Sequence, residues 1–242
     1  MILLLNQSRY FWQIIRKRFF FWLLLLILIM ALTGLQYRYN PRVNLNTLFF
    51  YGVSASEISA GHVSIPPLWF FYLLVPHLIL LNALQELTKY HSQQLWGLQF
   101  SKIKLASTHC LLILLISLLY EFISVLALMV TSKIQIAKEM TSISGHLAKL
   151  SLPFLTTLLL CIASLLLLQA ILNLVHPIIG ITLPILILVI TIFKNWRYNP
   201  INSTMLSRIL PHTFRQDTFI FLLLISLLVS LYIHIYRHQD LN

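Results

Sequence analysis

The stretch HCLLILLISLLYEFISVLALMVT, residues 109–131, decides the fold class of this chain. It contains one acidic residue, Glu121, and no lysine or arginine. A helix crosses a bilayer core with about 20 predominantly apolar residues. Backbone exposed to lipid must satisfy its own hydrogen bonds, and this stretch does not alternate apolar and polar residues as the strands of membrane barrels do. The stretch therefore predicts a transmembrane helix.

The composition of the whole chain also indicates a membrane protein. Of its 242 residues, 59% are hydrophobic and 10% are charged, whereas soluble domains are about 45–50% apolar and about 25% charged. The net charge of +11 is interpreted as attraction to anionic lipid headgroups, because the lysines and arginines stand beside apolar runs. Since the sequence lacks basic patches interleaved with stacking aromatic residues, we expect membrane lipid and not nucleic acid as a partner.

Six apolar segments are predicted to span the membrane as helices of a single transmembrane domain, 1–242: 19–35, 68–84, 109–131, 152–174, 178–193 and 218–236. The fifth segment is short and contains Pro184. Only the residues VHP separate the fourth segment from the fifth, which predicts a tight hairpin at His176 and Pro177. The predicted fold is therefore an all-α integral membrane protein with about six transmembrane helices.

The N-terminal residues 3–17 have an amphipathic pattern at helical spacing. Arg9 and Arg16 fall on one face, apolar side chains fall on the opposite face, and Trp12 lies at the border. This pattern is typical of a helix lying in the membrane interface. It predicts a separate helix before the span at 19–35. The alternative is that these residues form a positively charged start to that span.

The orientation of the chain is inferred from its first span. Lysines and arginines divide almost equally between the two sets of loops, so their total does not decide the orientation. The first helix usually dominates, and most of its flanking positive charge precedes it. We therefore expect the N-terminus in the cytoplasm.

The connector between the second and third segments, ELTKYHSQQLWGLQFSKIK, residues 86–104, mixes aromatic and aliphatic side chains with polar and basic ones. It is too polar to span a bilayer and too amphipathic for a disordered linker. With the N-terminus inside, this connector faces the cytoplasm. The pattern predicts a short helix parallel to the membrane that a soluble partner could bind. The alternative is an extension that rests on lipid headgroups.

Polar residues inside the predicted spans are candidate functional groups. Glu121 is the acidic residue within a span, and an ionisable group at that depth is a functional-site hypothesis by default. His77 is predicted at a similar depth in the neighbouring span, so we expect it to be the partner of Glu121. The pair could form a structural hydrogen bond, take part in proton-linked or substrate-binding chemistry, or make no contact. Gln169 is predicted to hydrogen-bond between helices.

This layout resembles the ABC transporter permeases of the small, six-span exporter class (type two), like those of bacterial peptide-export and bacteriocin-immunity systems. The resemblance implies that residues 3–17 form an elbow helix and that residues 86–104 contain a coupling helix. It also implies a cytoplasmic hairpin at 175–177 and a partly buried extracellular segment at 199–215. The residues expected to contact an ATPase are Glu86, Tyr90, Ser92, Trp96, Ser101 and Lys102.

The resemblance also implies the partners. The sequence contains no G-x-x-x-x-G-K-[ST] phosphate loop, so we expect no cofactor on this chain, with ATP and magnesium on a separate ABC ATPase subunit. A second copy or a related permease would complete the path for a hydrophobic or peptide-like substrate across the bacterial cytoplasmic membrane. An ATP-independent scaffold, channel or immunity protein is the alternative. An intramembrane enzyme is favoured less, because Glu121 stands without a second intramembrane carboxylate, and no metal site is expected.

Overall fold

The computed structural model describes residues 2–37, 45–87, 101–135, 152–196, 198–209 and 213–238. Regular secondary structure within these ranges is entirely helical, which confirms the predicted all-α class. The elements are α1 (Ile2–Gln36), α2 (Leu45–Phe50), α3 (Ala55–Ser59), α4 (Pro67–Leu80), α5 (83–87), α6 (Lys102–Gln135), α7 (Leu152–Val175), α8 (Pro177–Phe193), a 3₁₀ turn (Pro200–Thr204) and α9 (Thr213–His238).

Five helical segments are long and apolar enough to cross a bilayer: α1, α4 with α5, α6, α7 and α9. The chain is therefore a multi-pass membrane protein. The predicted sixth span corresponds to α8, which has 17 residues. At 1.5 Å per residue, α8 is about 26 Å long, which is less than the hydrocarbon thickness of about 30 Å. The prediction of six equivalent spans is therefore corrected to five long helices and one shorter apolar helix.

Hydroxyl groups inside the long helices bond to the backbone of their own helix. The Thr33 hydroxyl donates to the Ile29 carbonyl at 2.7 Å, and the Ser164 hydroxyl donates to the Cys161 carbonyl at 2.8 Å. Each bond spans three or four residues, so the hydroxyl needs no water or neighbouring helix. Apolar helices can therefore carry serine and threonine through the membrane core.

The prediction of a separate elbow helix at residues 3–17 is wrong, because α1 runs without a break from Ile2 to Gln36. The chain has no proline or glycine in this stretch before Gly34, so nothing interrupts the helix. The predicted faces are nevertheless confirmed. Phe11 and Ile15 are buried, whereas Arg9 and Arg16 are exposed and Trp12 is half-buried.

The second span contains a break between α4 and α5. Asn82 has φ +56°, in the left-handed region that few residues other than glycine and asparagine adopt. The preceding residue, Leu81, has φ −48° and ψ 115°, so the chain turns sharply before α5 begins. The break leaves backbone carbonyl groups of α4 without their usual helical donors.

The most buried helix of the bundle is α7, and it packs against α4, α6, α8 and α9. Helix α7 carries apolar side chains on every face, which is typical of a helix at the centre of a membrane bundle. By contrast, α1 packs against α4 and α6, and α9 packs against α6 and α7. Large apolar side chains such as Phe21 on α1 and Leu227 on α9 are exposed on the outside of the bundle.

The two ends of the bundle differ in how they are closed. We call the end that carries residues 87 and 101 the connector end. The tight hairpin predicted at 175–177 is confirmed there: α7 ends at Val175, and the His176 side chain caps α8 by accepting from the Ile178 amide at 3.3 Å. We call the opposite end, closed by residues 45–59 and 198–209, the cap end.

The cap end folds around the 3₁₀ turn, whose residues Ile201–Thr204 are buried. The Trp69 indole donates to the Thr204 carbonyl at 3.2 Å and to its hydroxyl at 3.1 Å. The amides of Leu206 and Ser207 donate to the backbone of residues 50 and 51. The partial burial predicted for residues 199–215 is therefore confirmed for the described residues, and their extracellular location stays a prediction.

Arg208 joins three segments at the cap end. Its guanidinium donates hydrogen bonds to the carbonyls of Val53, Thr191 and Ile192 and to Asn202 Oδ1, at 2.6, 2.6, 2.9 and 2.9 Å respectively. Partial burial lowers the pKa of Arg208 from its usual value, but an arginine remains charged in proteins. The Arg208 cation therefore balances the partial negative charge at the C-terminus of α8. It also joins this end of α8 to Val53 and Asn202.

Candidate functional site

The connector predicted to bind a partner begins and ends at the connector end of the bundle. Its flanks are described by the structure, with Glu86 on α5 and Ser101 and Lys102 at the start of α6. Tyr90, Ser92 and Trp96 lie outside the described residues. The attachment points of the connector are therefore the part of the predicted site whose geometry is defined.

Arg18 fixes α5 beside α1. Its Nη2 donates to Glu86 Oε1 at 2.9 Å, and its Nη1 donates to the carbonyl of Leu81, at the break that precedes α5. The two side chains are 36% and 38% exposed, so the ion pair contributes no more than about 1 kcal/mol. The guanidinium also satisfies a carbonyl that the helix break exposes, so the position of α5 depends on α1.

Gln85 fixes the other side of α5. Its Nε2 donates to the carbonyl of Asn173 on α7 at 2.5 Å. Asn173 in turn packs against Gly180 of α8, where an added β-carbon would lie 1.8 Å from Asn173 Oδ1. The close approach of the two helices therefore favours glycine at 180, because a larger residue would have to displace the Asn173 side chain. Through these contacts α5 is held between α1 and the α7–α8 hairpin.

Ser101 begins α6 on the far side of the connector. Its hydroxyl accepts from the Lys104 amide at 3.3 Å, as a helix N-cap does. Lys102 is half-buried in the first turn of α6. These positions explain why Ser101 precedes a long helix. Contact of Glu86, Ser101 or Lys102 with an ATPase stays a prediction.

The N-terminal residues predicted for the elbow lie on the first half of α1. Trp12 packs against Phe19 and Phe20, with ring centroids 5.4 and 5.9 Å away. Arg9 and Arg16 point away from the bundle. The exposed arginines are available to headgroups, as the sequence predicts for an interfacial face.

The pairing of His77 with Glu121 is wrong. His77 Nδ1 lies 2.6 Å from Gln169 Oε1, and Gln169 Nε2 donates to the His77 carbonyl at 3.2 Å. Glu121 instead faces Tyr72, five residues earlier on α4. The prediction assumes that the apolar runs of the second and third spans end at the same level of the membrane. Helix α6 instead continues to Gln135, beyond its apolar run, so the two helices are offset from the assumed register. The predicted role of Gln169 as a bond between helices is confirmed.

Glu121 lies in a group of polar side chains between α4 and α6. The Tyr72 hydroxyl is 3.4 Å from Glu121 Oε2 and 2.8 Å from Ser124 Oγ. The Ser124 hydroxyl donates to the Glu121 carbonyl at 3.1 Å. Glu121 Oε1 is buried and has no hydrogen-bond partner among the residues that the structure describes.

Two arginines, Arg18 and Arg208, are polar anchors that the sequence patterns do not identify. Arg18 stands at the start of the first predicted span. Its role could have been predicted by looking for a carboxylate at the same end of the bundle, because a cation beside an apolar run needs a partner. Arg208 gives no such signal, because its acceptors are mostly backbone carbonyls. Neither the acceptors nor their approach can be deduced from residue types.

The described residues that could act chemically are few and separated. Cys110 and Cys161 are free, buried thiols. No group of three or more histidine, cysteine, aspartate or glutamate side chains that could hold a metal occurs within the described ranges. No protein-family model, no curated protein and no solved structure matches this chain.

Proposed function

We propose that this chain is the membrane-spanning permease subunit of an ATP-driven ABC exporter. A separate ATPase subunit binds the connector, residues 86–104, from the cytoplasm. A second permease, identical or related, completes the path for a hydrophobic or peptide-like substrate. Because the sequence has no phosphate loop, ATP and magnesium are held by the partner.

The observation that carries this proposal is the attachment of the connector to the bundle. On one side, Arg18 and Gln85 tie α5 to α1 and α7. On the other side, the connector continues into α6, which Ser101 caps and which packs against α1, α7 and α9. A connector with anchored ends transmits a displacement to the helices, whereas loosely attached ends would absorb it.

The mechanical consequence follows from the contacts of α5. A push on the connector moves α5 and α6 together, because both flank it. Through the Arg18–Glu86 pair the push reaches α1, and across the break at Asn82 it reaches α4. These are the first three long helices of the bundle. Closure of nucleotide-bound ATPase subunits would tilt them relative to α7, α8 and α9.

The substrate and the direction of transport come from the resemblance described above. The exposed outer faces of α1 and α9 are apolar and suited to lipid or to a second permease. Export of a peptide, or self-immunity to one, is the function of the permeases that this layout resembles. The same resemblance implies the bacterial cytoplasmic membrane, and the positive charge that precedes the first span implies an N-terminus inside.

The location of the connector is tested by cysteine labelling. The native thiols are buried, so a variant carrying Ser92→Cys has little background. We expect a membrane-impermeant maleimide to label it in inside-out vesicles and not in intact cells. Ser59→Cys, at an exposed serine on the opposite end of the bundle, is the control and should show the reverse pattern. Labelling of Ser92→Cys in intact cells would overturn the proposal.

The partner is tested by co-purification with the ATPase encoded beside this chain, followed by ATPase assays in lipid nanodiscs. We expect a complex whose ATP hydrolysis responds to the permease. Glu86→Arg and Arg18→Glu should each weaken this response several-fold, and the charge-exchanged double variant should recover it. Arg16→Glu, at an exposed arginine of the same helix, is the matched control. Purification without any ATPase would instead favour an ATP-independent scaffold, channel or immunity protein.

A further inference from the structure

The buried group around Glu121 has too few hydrogens to satisfy an ionised carboxylate. Tyr72 and Ser124 each bring one hydroxyl hydrogen. The short contact of 2.8 Å joins these two hydroxyls to each other, and Ser124 is also bonded to the Glu121 carbonyl at 3.1 Å. An ionised Glu121 would therefore receive at most one hydrogen bond, from Tyr72 to Oε2 at 3.4 Å, and its Oε1 would receive none from the described residues.

The surroundings of Glu121 offer no compensating charge. Its side chain is 7% exposed, and no lysine or arginine side chain in the described parts of the chain forms an ion pair with it. The titratable groups that face it are Tyr72 from α4, Tyr120 from α6 and Cys161 from α7. All three are neutral in their ordinary form at neutral pH.

Aromatic rings pack against Tyr72, and Glu121 and Ser124 are buried beside it. The Tyr72 ring packs against Phe50 and Tyr120, with ring centroids 5.0 and 5.6 Å away. The Tyr120 hydroxyl donates to the Tyr72 carbonyl at 2.7 Å, which fixes the backbone that carries Tyr72. A buried charge without a counter-ion or solvent is strongly disfavoured, and it usually neutralises.

We propose that Glu121 is a proton-binding site in the membrane core and that its carboxyl group carries a proton in this conformation. With that proton, three hydrogens serve the three contacts in sequence: the carboxyl donates to Tyr72, Tyr72 donates to Ser124, and Ser124 donates to the Glu121 carbonyl. Each hydroxyl then donates once and accepts once. This inference is independent of the function proposed above, because it needs no ATPase and no substrate.

The proton exchanges with solvent only in a conformation in which water reaches Glu121. Water that reaches Glu121 takes the proton: the carboxyl O–H bond breaks, its electron pair stays on the carboxylate oxygen, and hydronium forms. The reverse step returns the proton when Glu121 is buried again. A conformational change at Glu121 therefore binds or releases one proton.

The protonation state is measured by infrared spectroscopy of the protein in lipid at neutral pH. We expect the carbonyl stretch of a protonated carboxylic acid in the wild-type protein and its loss in Glu121→Gln. In Tyr72→Phe, which removes the acceptor, this stretch should move to higher frequency, a change that a purely structural role of Tyr72 would not produce. Loss of carboxylate bands alone in Glu121→Gln would overturn the proposal, and a bound sodium ion in place of the proton would give that result.

The matched control is Glu57→Gln. Glu57 is exposed, and hydrogen bonding from the Ser54 backbone and side chain lowers its pKa, so it is ionised at neutral pH. This substitution should remove carboxylate bands only. If Glu121→Gln does not fold, solid-state NMR of wild-type protein with ¹³C-labelled glutamate gives the same answer. One carboxyl carbon with the shift of a protonated acid supports the proposal, and carboxylate shifts for every glutamate overturn it.

Discussion

Arg208→Met removes a side chain that holds three segments of the cap end together. The wild-type guanidinium makes hydrogen bonds to Val53, to the last turn of α8 and to Asn202. Methionine fills part of the same volume and donates none of them. We expect the free energy of unfolding to fall.

The magnitude follows from those bonds and from solvent access. A hydrogen bond to a charged group contributes about 1.5–3 kcal/mol when it is buried. Arg208 is only half-buried, and water replaces part of each contact in the variant. A contribution of about 1 kcal/mol for each bond gives a loss of about 3–4 kcal/mol. Arg208→Lys keeps the charge but not the planar fork of donors, so it should lose about half as much.

The assay is reversible unfolding in mixed micelles with increasing SDS. Arg215→Met is the matched control, because Arg215 is an exposed arginine at the start of the following helix. An exposed substitution of this kind changes stability by about 0.5 kcal/mol or less. If the free energies of unfolding of Arg208→Met and Arg215→Met differ by no more than about 0.5 kcal/mol, the guanidinium does not hold the cap end and the reasoning is refuted.

Three further predictions concern other parts of the chain. Gly180→Ala should destabilise the α7–α8 hairpin by about 1–3 kcal/mol through overpacking, and Asn173→Ala should relieve part of that loss in a double-mutant cycle, because the amide that the new methyl meets is removed. Gln169→Leu should lower stability by about 1–3 kcal/mol, since the His77 ring and carbonyl lose their partner in the core; a thermal unfolding midpoint equal to that of the wild type would contradict this. Glu57 has a pKa below its ordinary 4.5, so its contribution to α3 is present above that pH and is lost as the pH falls through the lower folded value. The protection of the α3 amides, measured relative to their intrinsic exchange rate at each pH, should therefore fall in acid, and Glu57→Gln should remove this fall.

Hydropathy predicts the long helices because lipid imposes a length and an apolar surface on each of them. The stretch at 109–131 lies inside α6, and the stretch at 152–174 coincides with α7 within one residue at its end. The tight hairpin at His176 is likewise a local property of the sequence. The amphipathic faces of the first helix are predicted for the same reason, since Phe11 and Arg9 point where helical spacing places them.

The contacts between helices are not local, and the sequence predicts them less well. His77 bonds to Gln169, 92 residues away, and a shift of five residues along α4 decides whether His77 or Tyr72 meets Glu121. Such a shift depends on how far each helix extends beyond the membrane, which composition does not define. The same limit applies to Arg208, whose partner Val53 is 155 residues away.

The continuity of α1 has a consequence for movement at the N-terminus. At 1.5 Å per residue, a helix of 35 residues is about 52 Å long, whereas the hydrocarbon core is about 30 Å thick. About 20 Å of the helix therefore extends outside the hydrocarbon as part of the same rod. A rotation of about 10° would displace one tip by about 9 Å relative to the other. A small change of tilt within the bilayer therefore produces a large displacement of the charged N-terminal end. A separate segment joined by a hinge would not move with the span in this way.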